Sequence, residues 1–388
     1  MGFAAGMTAR LTRARSGRGR ASLRTATAGA LVLGALAAGS LAAPTAPAVA
    51  AVAGVTAPKA GGAEVVTRRV TFTLDNSNES ALPCLADGEL HEVRGRLVGP
   101  AGQLTGSTLH RVNVLVHDVS TGGWFWNLRR HPAFDYAGNL ARRGEVSLVL
   151  DRLGHGRSPL ADGTGTCLGA QAQMLHELVQ HLYSGKYAAA DGHAPAATHV
   201  VLHGHSAGAA IAQLTASIDR DVEGLVLMSW SDLAPSTTAL TEAATQTATC
   251  LTGGETFGDR EHYALFGGTD AAYRKLLFAS APAAVQRAAT ARRTPTPCGD
   301  ALSLAGLLTS GNLAKLRVDV PVLLLFGGKD ALLGGAAAAL QPGSYAPSAD
   351  VTTRTFPGAG SALPLEKQAP KVRRAVVRWL RSTPELAE

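Results

Sequence analysis

"HVVLHGHSAGAAIAQL", residues 199–214, changes character halfway along. His199 to His203 is a short β-branched and apolar run, the composition of a buried strand. Ala207 to Leu214 is rich in alanine and leucine, the composition of a helix. Between them lies Gly204-His205-Ser206-Ala207-Gly208. The bare pattern G-x-S-x-G arises easily by chance in a glycine-rich chain, and its meaning comes from the strand before it and the helix after it. A sharp strand-to-helix turn exposes the serine hydroxyl in a strained conformation. The glycines let neighbouring backbone approach, and the helix N-terminus offers free N–H groups to a developing oxyanion. Ser206 is therefore the expected nucleophile, with the Ala207 N–H as an oxyanion donor.

Further nearly continuous apolar runs flank this one: "RVNVLVH" (111–117), "VSLVLD" (146–151), "GLVLMS" (224–229) and "VPVLLLFGG" (320–328), with "VTTRTF" (351–356) as a weaker member. Continuous Val/Leu runs separated by helical segments predict buried parallel strands with crossover helices. Two earlier stretches, 64–75 and 89–100, alternate apolar and polar residues and predict half-buried antiparallel strands. "AQAQMLHELVQHLYS" (170–184) and "KVRRAVVRWLR" (371–381) each place their apolar residues on one helical face. About ninety residues separate the runs ending at Ser229 and starting at Val320, too many for a simple crossover. This stretch, about 230–319, reads as an inserted cap.

The N-terminus carries a different signal. Six arginines and no acid lie between Arg10 and Arg24, and the apolar run "AGALVLGALAAGSLAA" (28–43) follows. Small residues at Ala48 and Ala50 complete the pattern of a secretory signal peptide over 1–50, with a flexible leader at 51–63. The run is too short and alanine-rich for a stable membrane span, which needs about 20 strongly apolar residues. Without residues 1–50 the formal charge of +7 falls to +1, so nothing in the charge suggests a nucleic-acid partner. Four cysteines remain, Cys84, Cys167, Cys250 and Cys298. In an exported chain an even number predicts two disulfides, and sequence alone allows three connectivities. No C-x-x-C or paired histidine motif points to zinc.

The elbow at 204–208 and the order of the flanking runs resemble the α/β-hydrolase superfamily over most of the chain after residue 63. The resemblance implies a mostly parallel eight-stranded sheet in the order 1-2-4-3-5-6-7-8, helices on both faces, and a helical cap. It makes "RVNVLVH" the third strand and places the second oxyanion donor, the Val119 N–H, in the loop after it. Related proteins usually have His-Gly there, whereas this chain has His117-Asp118. A glycine permits close approach, and a carboxylate near an oxyanion repels it. "LDRLGHGRSP" (150–159) matches the family's structural loop after strand four, with His155 expected as a surface or loop histidine. "VLLLFGGKDALL" (322–333) matches the loop that carries the acid, so Asp330 is the expected acid and Asp232, after strand six, the second candidate. The same topology favours Cys84–Cys167 and Cys250–Cys298 as the disulfide pairs.

The loop after the last strand, "TFPGAGSALPLE" (355–366), fits the family's base loop, but the histidine position is Ser361. A serine hydroxyl has no pKa near neutrality and cannot accept and return the nucleophile's proton. Three explanations stand: a crippled site, a base relocated to His262 in the cap or His117 at the end of the third strand, or a misaligned loop. His203 and His205 are expected to point into the sheet or the elbow packing. The reading implied is an exported serine hydrolase for a small carboxylic ester or related acyl compound, without metal or organic cofactor, its activity reduced by Ser361. The alternatives are an inactive binding protein and a cofactor-free haloperoxidase or lactonase.

Overall fold

A computed structural model describes residues 64–387, Asp219 excepted. The expected signal peptide and leader lie outside the described residues. The strands of the main sheet are β1 (Val65–Asp75), β2 (Leu90–Pro100), β3 (Thr108–Val116), β4 (Val146–Asp151), β5 (Ala188–Ala189), β6 (Ala196–His205), β7 (Gly224–Met228), β11 (Val322–Gly327) and β12 (Val351–Phe356). Their spatial order is β12-β11-β7-β6-β3-β4-β2-β1-β5. From β12 to β4 every neighbour is parallel, while β2 and β1 are antiparallel additions. The order of the eight long strands is the expected one. The ninth, β5, is a two-residue antiparallel edge pairing Ala188 and Ala189 with β1, too short to leave an apolar run in the sequence.

Each strand sends alternate side chains to opposite faces. Leu324 joins the core on one face and Leu323 and Leu325 the core on the other. The first face is covered by α2 (Leu168–Ser184) and α3 (Ala207–Ala216). The second is covered by α1 (Tyr136–Ala141) and α8 (Ala369–Ser382), where Val372, Val376 and Leu380 are fully buried.

Between β7 and β11 the chain forms α4 (Thr237–Leu251), α5 (Asp270–Leu277), α6 (Ala283–Thr290) and α7 (Cys298–Ala314). A small antiparallel sheet, β10-β9-β8 (Thr296–Pro297, Arg260–Ala264, Glu255–Phe257), lies among them, so the segment is not purely helical as the sequence suggested. Cys250 at the end of α4 is bonded to Cys298 at the start of α7, and Cys84 to Cys167, the residue that begins α2. Buried ion pairs anchor α7 to the sheet side. Arg152, just after β4, meets Asp300 at 3.0 Å, and Lys315, just past α7, meets Asp232 at 3.2 Å. Among the described residues no helix is long and apolar enough to cross a membrane.

Candidate active site

The site is built where β6 turns into α3. Ser206 sits at φ 51° and ψ −124°, a region that costs a non-glycine residue on the order of 1–3 kcal/mol. Its N–H donates to Met228 O on β7 at 2.9 Å, which helps to hold the strained residue. The turn is too tight for side chains on either side. A Cβ on Gly204 would come within 2.3 Å of Ala209 Cα, and one on Gly208 within 2.4 Å of Val116 O. Ser206, Ala207, Asp118 and Val119 line a cavity whose volume open to the centre of a water molecule is about 70 Å³. Its other walls are mostly apolar: Phe266, Leu304 and Leu308 from the segment after β7, and Leu332 and Leu333 from the loop after β11.

Asp330 lies in that same loop. One carboxyl oxygen, Oδ1, accepts the Leu332 N–H at 2.9 Å, while the buried Oδ2 has no hydrogen-bond partner. Burial drives its pKa up to about 7, against the opposing pull of the Leu332 amide and the Ser229 hydroxyl. Ser229 was not anticipated from the sequence. It ends the β7 run at φ 54°, and its hydroxyl donates to Ser361 O at 2.8 Å, so it ties the end of that run to the loop of Ser361. The loop of Asp330 is joined to that of Ser361 by the Lys329 N–H, which donates to Ala359 O at 2.8 Å. Ser361 is therefore fixed beside the loop of Asp330, in a loop further pinned by Glu366, which accepts the N–H groups of Gly360, Ala279 and Ser280.

Ser361 is fully buried. Its carbonyl accepts Nε2–H of His205 at 3.0 Å, and its hydroxyl lies 3.4 Å from the same nitrogen. His205 is stacked on Phe125 with centroids 4.4 Å apart and is directed at this loop. Burial lowers its pKa, partly offset by the Asp118 carboxylate. Its Nδ1 is buried without a partner. Among the described residues no hydrogen bond joins the Ser206 hydroxyl to a histidine.

Neither candidate for a relocated base, His117 or His262, is hydrogen-bonded to Ser206 among the described residues. His117 uses both ring nitrogens structurally: Nδ1–H donates to Asp118 O at 2.7 Å, and Nε2 accepts the Arg152 N–H at 3.1 Å. Burial holds its pKa well below the usual histidine range. His262 pairs with Asp162 at 2.8 Å in a partly exposed position and does not line the cavity. Asp232, the second candidate acid, is committed to Trp230, Gln213, Gln341 and Lys315. His203 is buried and bonded to the Tyr136 hydroxyl at 3.0 Å, inside the packing as expected. His155 lies in the loop after β4, as expected, but not at the surface. It is fully buried beside Arg152, 3.2 Å away, because the Arg152–Asp300 pair draws the loop after β4 inward.

Of the two N–H groups expected as oxyanion donors, that of Ala207 is not free. The Ala207 N–H donates to Asp118 Oδ1 at 3.2 Å, and Asp118 Oδ2 accepts the Ser120 hydroxyl at 3.0 Å. A side-chain carboxylate thus occupies the N–H expected from the sequence to serve an oxyanion. Sequence raised the carboxylate as a source of repulsion, but only the fold reveals that it is hydrogen-bonded to that N–H.

This arrangement defines a serine-elbow α/β protein. Residues 114–375 match the Alpha/beta hydrolase family, and the chain belongs to it. No curated protein matches the chain. Among solved structures it resembles a thermophilic esterase from Thermogutta terrifontis at 20% identity over 80% of this chain and 98% of that one, with a TM-score of 0.55. An esterase from Exiguobacterium antarcticum aligns at 16% identity over 77% and 99%, TM-score 0.53. The putative non-heme bromoperoxidase BpoC from Mycobacterium tuberculosis aligns at 18% identity over 71% and 94%, TM-score 0.51. At these identities the likeness is one of fold.

Proposed function

We propose that the chain is an exported member of this family whose pocket at Ser206 receives a small, largely apolar carboxylic ester or related acyl compound. Hydrolysis through an acyl-enzyme on Ser206 is reduced by orders of magnitude in this reading. In it the segment 230–319 acts as the cap, since Phe266, Leu304 and Leu308 close the pocket over the elbow. Asp330 is the acid of the ancestral triad, and the Ala207 and Val119 N–H groups are its oxyanion hole. The reading is supported by the burial of Ser361, assigned here to the base position, and by the unpartnered Oδ2 of Asp330 in the neighbouring loop. Loss of a triad base costs on the order of a millionfold in turnover, and an intact oxyanion hole still leaves roughly 10³–10⁴ over water.

A second reading, a binding protein without turnover, is favoured by the Asp118 contact, which removes that residual contribution as well. One experiment separates the two. Ser361→His and Ser361→His/Asp118→Gly are assayed on short aryl esters, with a phosphonate label on Ser206. Recovery in the single variant, and a further gain of about 10²-fold in the double variant, supports a disarmed hydrolase. If both remain at background with Ser206 unlabelled, the hydrolase reading fails.

A further inference from the structure

The polarity of the pocket is reversed relative to the chemistry of its fold. A pocket built for acyl transfer offers donors to a carbonyl oxygen. Here the Ala207 N–H is already satisfied, and the group that covers it is an acceptor. Asp118 is the one charged side chain lining the cavity, and among the described residues it forms no ion pair with lysine, arginine or histidine. A carboxylate has about four acceptor sites, and one amide and one hydroxyl occupy two of them. The cavity that Asp118 lines is walled by Val119, Phe266, Leu304 and Leu308. A buried carboxylate is costly unless complementary groups meet it, and here one amide at the α3 N-terminus and one hydroxyl meet it only in part.

We propose that the natural ligand of this pocket presents a primary ammonium to Asp118 and a short apolar chain to the surrounding walls. The inference rests on the binding-protein reading of the pocket and names its ligand class. The ammonium N–H groups donate to the free acceptor sites of Asp118, a charge-assisted contact strengthened by the apolar surroundings. A carboxylate or ester oxygen in the same place meets an acceptor and is repelled. The cavity, about 70 Å³ open to water centres, limits the chain to a handful of carbons. Trp230 also lines the cavity, and its indole N–H is turned away to Asp232 at 2.8 Å, so it offers no competing donor there.

The test is isothermal titration calorimetry with three probes of equal chain length: n-pentylammonium, 1-pentanol and pentanoate. They are titrated at pH 7.5 into the mature protein and into its Ser206→Ala and Asp118→Asn variants. Pentylammonium is expected to bind saturably, at least tenfold tighter than pentanol, with pentanoate weakest. Ser206→Ala keeps that order, because the serine is not the recognition group. Asp118→Asn brings pentylammonium and pentanol to within about threefold of each other. Pentanoate binding as tightly as pentylammonium overturns the proposal. So does the absence of saturable ammonium binding, or a tenfold preference that survives Asp118→Asn. If Asp118→Asn does not fold, the order of the three probes on the unaltered protein decides alone. Failure here leaves the aryl-ester and phosphonate assays untouched, so the disarmed-hydrolase reading stands or falls separately.

Discussion

Asp330 titrates in an unusual range because burial opposes its charged form, raising the pKa from the ordinary 3.8 to about 7. The raised value fixes the sign of its effect on stability. Below about pH 4 the carboxyl is neutral in both folded and unfolded chains and brings no penalty. Between about 4 and 7 the unfolded chain ionises while the folded one resists, so stability falls as pH rises. Above 7 the loss levels off at roughly 4 kcal/mol, an order-of-magnitude figure. Asp330→Asn removes the titration. Its stability relative to the unaltered protein, read from urea unfolding, is therefore expected to be higher at pH 8 than at pH 4 by up to a few kcal/mol. A difference independent of pH would mean that Asp330 ionises normally. In a complete triad a histidine would supply the missing partner for Oδ2, so Ser361→His should also flatten the pH dependence.

At the scale of elements, the segment between β7 and β11 is held by buried charges as well as by apolar packing. Arg152 and Asp300 are 2% and 0% exposed, and His155 lies 3.6 Å from Asp300. Asp300 occupies the first turn of α7, the helix that carries Leu304 and Leu308 into the pocket, and a helix N-terminus favours a carboxylate. Removing one member of a buried pair strands the other, at about 3–5 kcal/mol, whereas replacing both with apolar residues of similar volume is often neutral. Asp300→Ala is expected to lower stability by that amount in urea unfolding. Arg152→Met/Asp300→Leu is expected to fall within about 1–2 kcal/mol of the unaltered protein. Equal losses in the two would show that the pair acts through shape and not through charge. The sequence could not announce this clamp, because Arg152 and Asp300 lie far apart in the chain and neither belongs to a periodic pattern.

Across the whole molecule, what could be read beforehand follows from the range of the forces involved. Buried parallel strands need apolar residues on both faces, so 146–151, buried throughout, was legible to the residue, while the half-exposed edge strand 351–356 left only a weaker run with the right bounds. The elbow was legible because a strand, a tight turn and a helix must be adjacent in the chain. Ser229, the Asp118–Ala207 contact and the small sheet β10-β9-β8 depend on contacts between distant segments, and no local rule predicts them. The disulfides belong to this long-range class too, and their consequence extends to the compartment in which the chain folds. They join cysteines separated by 83 and 48 residues, and no cysteine is free. In the chain-entropy model such loops are worth about 4.5 and about 4 kcal/mol. Together they rival the total stability of an ordinary domain, roughly 5–15 kcal/mol. Residues 51–388 produced in a reducing cytosol should therefore be largely unfolded or aggregated. The same chain exported to an oxidising compartment should be soluble, with no thiol reacting under denaturing conditions. Adding dithiothreitol to the exported protein should lower its urea midpoint sharply. If the reduced and oxidised forms unfold at the same midpoint, the disulfides are dispensable to the fold, and the structural case for export loses its physical basis.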